Sequence, residues 1–570
     1  MITKRNIGTV AALGGVTAVV ALLTGMPSAK ADEVSDLRAS NQALQDRVDQ
    51  LAQAIPGPGG FYTQGAAPAP SAGAGLVGGS FPRSFLIPGT DTSIRVGGEI
   101  RVNATFWFNG RTPNQAPPST NVLNNGGLNA VPVQIHNAIV GGVVVPSSNP
   151  TRSRDTSVFT LSPQQTKFNF ETRTPTAFGE ARTFIELDFA GGSSFSPGGV
   201  NQLTSTDSLT PRLRYAYGTL GGFLAGQANS NFSDPDADPP QLEFGGTVGS
   251  PGVTRVPQVR YTTPLAPYGL LGALSFSAEA PETEVWTAGQ GIVATDTGDV
   301  SLAANPALAC TTTITGATAT TNCPVGGTVP AFNPTKSPAP DLTAAWYIPQ
   351  PWGHLDMSLV YRPALQLKDG RFVDQTVQGY GGHIGGDVKP GWFGWAKDDF
   401  TFHFEAGEGI GRFIGGNQTM VSVVSNYPAL SPTTAGAGLP VSLKTVTAFG
   451  ANTSYTHYWA DNLRSYAAVG IQHMDLPNNL RTIPVSATGA VGPTSTAANP
   501  VCPGGINAAR LAATGGCNLN RELVSASFGT IWSPVSFVDF GAEYAYGHRL
   551  TLSGLKGDTS AAIGRFTVRF

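Results

Sequence analysis

The chain has 570 residues and only 12% of them are charged, about half the ~25% of ordinary soluble domains. Glycine and proline (71 and 44 residues) stay below the roughly 25–30% that marks a disordered chain, and 9% aromatic residues argue the same way. The net charge is −3, and becomes −6 without residues 1–31, which carry three basic side chains and no acid; this excludes the balance of a nucleic-acid binder. Mean hydropathy is nevertheless near zero, −0.02, so small polar residues and glycine stand where charges would be. Such a composition suits a large β protein with many turns.

Residues 1–31 read as a secretory signal. Lys4 and Arg5 precede the apolar stretch Ile7–Met26, and Ala29-Lys30-Ala31 supplies an A-x-A cleavage site. Gly14, Gly15 and Thr17 interrupt the stretch, which argues against an uncleaved anchor, and no cysteine follows it to carry a lipid. Further on, no run approaches the ~20 apolar residues of a membrane helix.

Residues 32–55 form a short heptad segment. Val34, Asn41, Val48 and Ile55 occupy a, and Leu37, Leu44 and Leu51 occupy d, which predicts a coiled coil. Isolated helices of this length are marginal in water, so the seam implies self-association. The a and d residues leave the number of strands open, since β-branched a with Leu at d nominally favours two. Residues 56–91 are a Gly/Pro/Ala linker and the lead-in to the next region, which spans 92–570.

From Thr92 the pattern has period 2. Ile94, Val96, Gly98, Ile100, Val102, Ala104, Phe106 and Phe108 share one face; Arg95, Gly97, Glu99, Arg101, Asn103, Thr105 and Trp107 share the other. Fifteen alternating residues exceed the usual 5–6 of a soluble strand and suit a tilted membrane strand. The alternation returns at Phe168/Phe170, at Ile185/Leu187/Phe189, and at Leu213/Tyr215/Tyr217 against Arg212/Arg214. It continues with Leu355–Tyr361, Phe400/Phe402/Phe404, Val538–Tyr546 and Phe566/Val568/Phe570. Short connections near 174–179, 220–222, 264–270, 350–353, 394–399, 460–462 and 532–534 alternate with long ones. The long ones lie near 109–156, 190–211, 230–254, 281–340, 363–378, 409–444, 475–520 and 548–560. Eight long loops and seven short turns predict an all-β fold: a 16-stranded antiparallel transmembrane β-barrel with a short N-terminal periplasmic coiled coil. Phe106, Phe108, Trp346, Tyr347, Tyr458, Trp459 and Trp532 sit where interfacial aromatic girdles belong.

Several stretches resemble DcaP-like trimeric outer-membrane porins in order: GSFPRSFLIPGTDTSIRVGGEIRV (79–102), FETRTPTAFGEARTFIELDF (170–189), PRLRYAYGTLGGFLAGQANSNFSD (211–234), VPQVRYTTP (256–264), PAPDLTAAWY (338–347) and FHFEAGEGIGRF (402–413). The resemblance is densest over 79–264 and less evident in 109–150, 287–335 and 475–520. It implies a 16-stranded barrel in the outer membrane of a Gram-negative bacterium, surrounded by lipid and lipopolysaccharide. It also implies a homotrimer, a periplasmic coiled coil and passive uptake of small anions, including dicarboxylates. Ending on Phe570 resembles the terminal signal read by the outer-membrane assembly machinery.

A diffusion channel needs no cofactor and no catalyst; it needs a polar, charged lumen. Parity assigns Arg95, Arg101, Lys167, Arg182, Arg212, Arg214 and Arg260 to the lumen, with Arg173 near the periplasmic mouth. One wall would then be basic and focus its field on a passing carboxylate. The alternative for each is an ion pair with Glu99, Glu171, Glu186 or Asp188 that only stiffens the wall. Asp234, Asp236 and Asp238 in the third long loop are the acidic counterpart if that loop folds inward, or a solvated turn if it does not. A calcium loop is disfavoured by Pro235 and by the missing glutamate at position 12.

Neighbour pairing of Cys310 with Cys323 and of Cys502 with Cys517 predicts two loop disulfides, one of three formal pairings. No histidine flanks them at zinc spacing. His136, His354, His383, His403, His457, His473 and His548 show no H-E-x-x-H or similar spacing, and no helix pattern follows the glycines at 407, 409 and 411. No metal site and no enzyme are therefore expected. Two other readings stay open: a weakly selective general porin, and a tether joining the outer membrane to peptidoglycan through the coiled coil.

Overall fold

The computed structural model describes residues 78–111, 137–140, 143–146, 156–191, 210–243, 245–249, 254–287, 311–315, 318–322, 335–368, 374–414, 422–425, 443–475, 520–551 and 556–570. Sixteen antiparallel strands close into a barrel. They are β1 (Ser93–Arg111), β2 (Thr156–Ser162 continued by Lys167–Thr176), β3 (Gly179–Asp188), β4 (Arg212–Leu220), β5 (Phe223–Asn229), β6 (Arg255–Pro264), β7 (Ala273–Glu279) and β8 (Asp341–Gln350). The second half comprises β9 (Gly353–Lys368), β10 (Asp374–Val388), β11 (Asp399–Glu408), β12 (Thr447–Ala460), β13 (Leu463–Asp475), β14 (Asn520–Val535), β15 (Val538–Thr551) and β16 (Lys556–Arg569). Each strand pairs with its chain neighbour. β16 then returns to β1, from Glu99 opposite Arg569 to Asn109 opposite Ser560, so the sheet has no free edge.

The two faces follow the alternation of the sequence. Val96, Ile100, Phe106, Phe159, Leu213, Val259, Phe276, Leu359, Phe528 and Tyr544 stand exposed on the outside, while Glu99, Asn103, Thr105 and Trp107 are buried within. A barrel whose apolar residues point outward and polar residues inward is built for a lipid surround. Trp459, Trp532, Trp392, Trp395, Tyr268 and Phe178 are exposed at or beside the short turns, and Phe106 with Phe108 toward the other end of β1, as girdles require. β1 begins and β16 ends on the short-turn side, where the backbone of Phe570 bonds to that of Gly98.

Four sequence expectations need correction. The loop expected at 363–378 shrinks to 369–373, because β9 and β10 pair as far as Lys368 opposite Asp374. The loop expected at 548–560 shrinks to 552–555, since β15 and β16 pair as far as Leu550 opposite Lys556. Strand ends that rise clear of the membrane need no apolar face, so the pattern fades before the hydrogen-bond ladder stops. Tyr347 and Tyr458 do not join a girdle. Tyr347 lies opposite Asp356 and stacks on His354, and Tyr458 shares the parity of buried Asn452, Ser454 and Thr456. Finally, a bulge at Arg214 resets β4: Glu186 faces Tyr215 while Leu187 faces Leu213, so Tyr215 and Tyr217 turn inward. The heptad residues Val34–Ile55 and the four cysteines lie outside the described residues.

Candidate pore and its lining

The inner face of β1–β4 carries a dense ladder of ion pairs. Arg95 meets Glu171 at 2.5 Å; Glu171 also takes Arg173 and Arg182, each at 2.8 Å. Glu99 holds Arg101 at 2.6 Å and Lys167 at 3.0 Å. Arg214 joins Glu186 at 2.6 Å and Asp188 at 2.9 Å, and Arg212 meets Asp188 at 2.5 Å. With Glu180, which reaches Arg173 at 3.4 Å, five carboxylates serve seven cations, leaving an excess of two positive charges. Arg260 of β6 is held differently, by neutral acceptors: it donates to Gln258 Oε1 at 2.9 Å and to the Asn229 carbonyl.

The loop L3 (residues 230–254) turns inward. Its strand β5 has only seven residues, so the chain leaves the wall early, and buried Glu279 of β7 fixes the exit. That carboxylate accepts from Ser230 Oγ and from the Asn231 amide, both at 2.7 Å, while Asn231 Nδ2 donates to Thr343 Oγ1 of β8 at 3.0 Å. L3 then follows the inner wall over β12–β16 and reaches Trp107 of β1. Gln241 Nε2 donates to Ser527 of β14, the Leu242 amide to Glu543 of β15 at 2.8 Å, and the Val248 amide to Ser525 at 3.1 Å. Asn452 of β12 donates to the Gly249 carbonyl at 2.7 Å. Leu242 packs with Trp107, Tyr466, Ile531, Ala545, Ala561 and Ile563, an apolar cluster inside the barrel.

Glycine makes this close approach possible. A Cβ at Gly470 would lie 2.0 Å from the Val248 carbonyl oxygen, and one at Gly541 would lie 2.7 Å from the Leu242 side chain. Gly470→Val is therefore expected to push L3 off β13 and change single-channel conductance while the barrel still folds. Unaltered conductance in a folded variant would show that L3 does not border the conducting path.

Three histidines converge beneath the first half of L3. His354 of β9 contacts Asp234 of L3 through Nε2 at 2.7 Å and Asp387 of β10 through Nδ1, with Tyr347 stacked 4.9 Å away. Burial alone would disfavour a charged Asp234, but His354 beside it holds that carboxyl below its ordinary value. His383 of β10 lies 3.2 Å from Ser358 and, through Nε2, 3.2 Å from Nδ1 of His403 of β11; His403 faces Asp238 at 3.6 Å. Asp236, by contrast, is exposed at the turn of the short helix Pro235–Ala237.

A second network joins the long loops above β7–β11. The fully buried guanidinium of Arg362 donates to Asp341 at 3.2 Å, Glu284 at 3.1 Å, the Gly409 carbonyl at 2.7 Å and Ser422 at 2.7 Å. Arg412 adds a bond to the Ala280 carbonyl at 3.1 Å, and its own carbonyl accepts from Thr254 at the end of L3. Val285–Thr287, Val423–Ser425 and Leu443–Thr445 form a small sheet over this network.

Residues 83–305 match the family model described as Porin subfamily. No curated protein matches the sequence. Among solved structures the chain is similar to the outer membrane channel DcaP of Acinetobacter baumannii, at 18% identity and a TM-score of 0.51, covering 84% of this chain and 97% of that one. The fold is that of an outer-membrane porin. Lesser likenesses are to the anion-selective porin from Comamonas acidovorans (7% identity, 84% and 100% covered, TM-score 0.41) and to OmpT of Vibrio cholerae (8%, 84% and 99%, 0.38).

In this barrel, six of the seven sequence-predicted basic residues, Arg95, Arg101, Lys167, Arg182, Arg212 and Arg214, come together on one wall, and Arg260 stands apart on β6. The aspartates of L3 divide: Asp234 is turned into the wall and buried, Asp238 faces His403, and Asp236 alone of the three is exposed. Sequence reasoning missed the histidine cluster, because its members come from β9, β10 and β11 with no motif spacing. The signal available was the parity of His354 with Asp356 and of His403 with Glu405, which places all four on inner faces.

Proposed function

We propose that this porin is a passive channel for small anionic organic solutes, dicarboxylates included, driven by the solute gradient alone. The excess of cations over carboxylates on β1–β4 carries the reading. Arginine presents several donors, so a guanidinium held by a wall acid keeps N–H groups for a passing carboxylate. Its surplus charge offsets part of the solute's lost hydration, and a low-dielectric wall focuses that field across the lumen. L3, spread over the facing strands, narrows the passage and restricts solute size. The resemblance to DcaP-like channels supports a trimer, and the heptad seam supports self-association through a coiled coil placed in the periplasm.

A second reading, a weakly selective general porin, draws on the same ion pairs, since every basic residue of the wall has a carboxylate partner. Reversal potential across a potassium chloride gradient, in a planar bilayer holding the purified protein, separates the two. Preference for chloride supports the anionic reading; equal permeability supports the general porin, and cation preference overturns the basic-wall mechanism.

A further inference from the structure

We propose that His354 is a charged positioning residue, an imidazolium that clamps L3 to the wall and makes the channel's conductance depend on pH. Neutral imidazole has one N–H donor and one nitrogen lone pair. Here both ring nitrogens contact carboxylate oxygens, Nε2 that of Asp234 on L3 and Nδ1 that of Asp387 on β10. A lone pair facing a carboxylate would repel it, so with both aspartates ionised only the doubly protonated ring satisfies both contacts. The cation thus joins L3 to β10 through one carboxylate on each.

The surroundings fit a charge held for position rather than for conduction. His354 and Asp234 are both buried, and Asp387 is 4% exposed, so a permeating ion does not reach the pair freely. Tyr347 of β8 covers one ring face. The other titratable groups around it are Asp356 on β9, His383 on β10, His403 on β11, Asp236 and Asp238 on L3, and Arg260 on β6. Carboxylates outnumber permanent cations in this set, so loss of the His354 proton leaves Asp234 facing unscreened negative charge and frees the first half of L3. The second half stays anchored through Leu242, Val248 and Gly249. The loop would then shift rather than leave the lumen.

The inference rests on L3 bordering the path and is independent of which ion the channel prefers. Its test is single-channel conductance against pH in planar bilayers, for the full-length protein and for His354→Gln and His354→Arg, each first shown to be folded by its heat-modifiable migration. The wild type is expected to show one conductance step as the pH rises. His354→Gln should display the high-pH conductance throughout, and His354→Arg, a permanent cation, the low-pH conductance throughout, so that both lose the step. A step retained in both variants assigns the titration to another group and overturns the proposal, as does a wild type with no step. Ion preference is read separately, from reversal potential, so failure of the anion reading would leave this result intact.

Discussion

The triple substitution Arg95→Ala, Arg101→Ala, Arg214→Ala is expected to reverse ion preference from anions to cations. Seven cations now oppose five carboxylates in the ion-pair ladder of β1–β4; the variant leaves four against five. The barrel should survive the change, because nearly every carboxylate keeps a partner. Glu171 retains Arg173 and Arg182, Glu99 retains Lys167, and Asp188 retains Arg212; only Glu186 loses its contact. Reversal potential measured at two ionic strengths checks the cause as well as the sign. The Debye length is about 10 Å at 0.1 M and about 3 Å at 1 M, so a preference set by wall charge weakens at high salt. A variant with wild-type reversal potential would remove the basic wall from the mechanism.

The second large effect concerns the network over β7–β11. Arg362→Ala is expected to destabilise the protein by about 3–5 kcal/mol, the usual result of leaving buried charges without their counterion. Glu284 and Asp341 would both face that loss, since Arg412 approaches them only at 3.9 and 3.5 Å. Lysine should rescue little: three donors on one nitrogen do not reach the four partners that the planar guanidinium spans. The expected readouts are a lower denaturant midpoint and faster proteolysis around 280–287 and 409–425, the segments this arginine joins. Lys368→Ala provides the contrast, because its pair with Asp374 is exposed on both sides and is worth no more than ~1 kcal/mol. Equal effects of the two substitutions would mean that the buried network does not hold the loops.

Much of the wall was legible before the fold was known. A strand between lipid and water must alternate, so Arg95, Glu99, Arg101, Lys167, Glu171 and Arg182 declared their face by parity alone. The same rule misplaced Tyr215 and Tyr217. Nothing in the local run Arg212-Leu213-Arg214-Tyr215 signals an extra residue, and the bulge exists because β3 and β4 must both keep register around it. Loop lengths near 369–373 and 552–555 were overread for a related reason. Polar strand ends and polar loops have the same composition, and only pairing with a neighbour separates them.

By itself the sequence determined the barrel: its strand number, its outward apolar face and the basic cast of β1–β4, all set by a period that each strand states locally. The path of L3 was decided only in three dimensions. Gly470 and Gly541 leave room, Glu279 turns the chain inward, and Glu543, Ser525 and Asp387 wait on strands far along the chain. The pairing of each arginine and the meeting of His354 with two aspartates were settled there too. Such contacts join residues far apart in the chain, 301 positions in the case of Leu242 and Glu543, and only closure of the sheet brings them within hydrogen-bond reach.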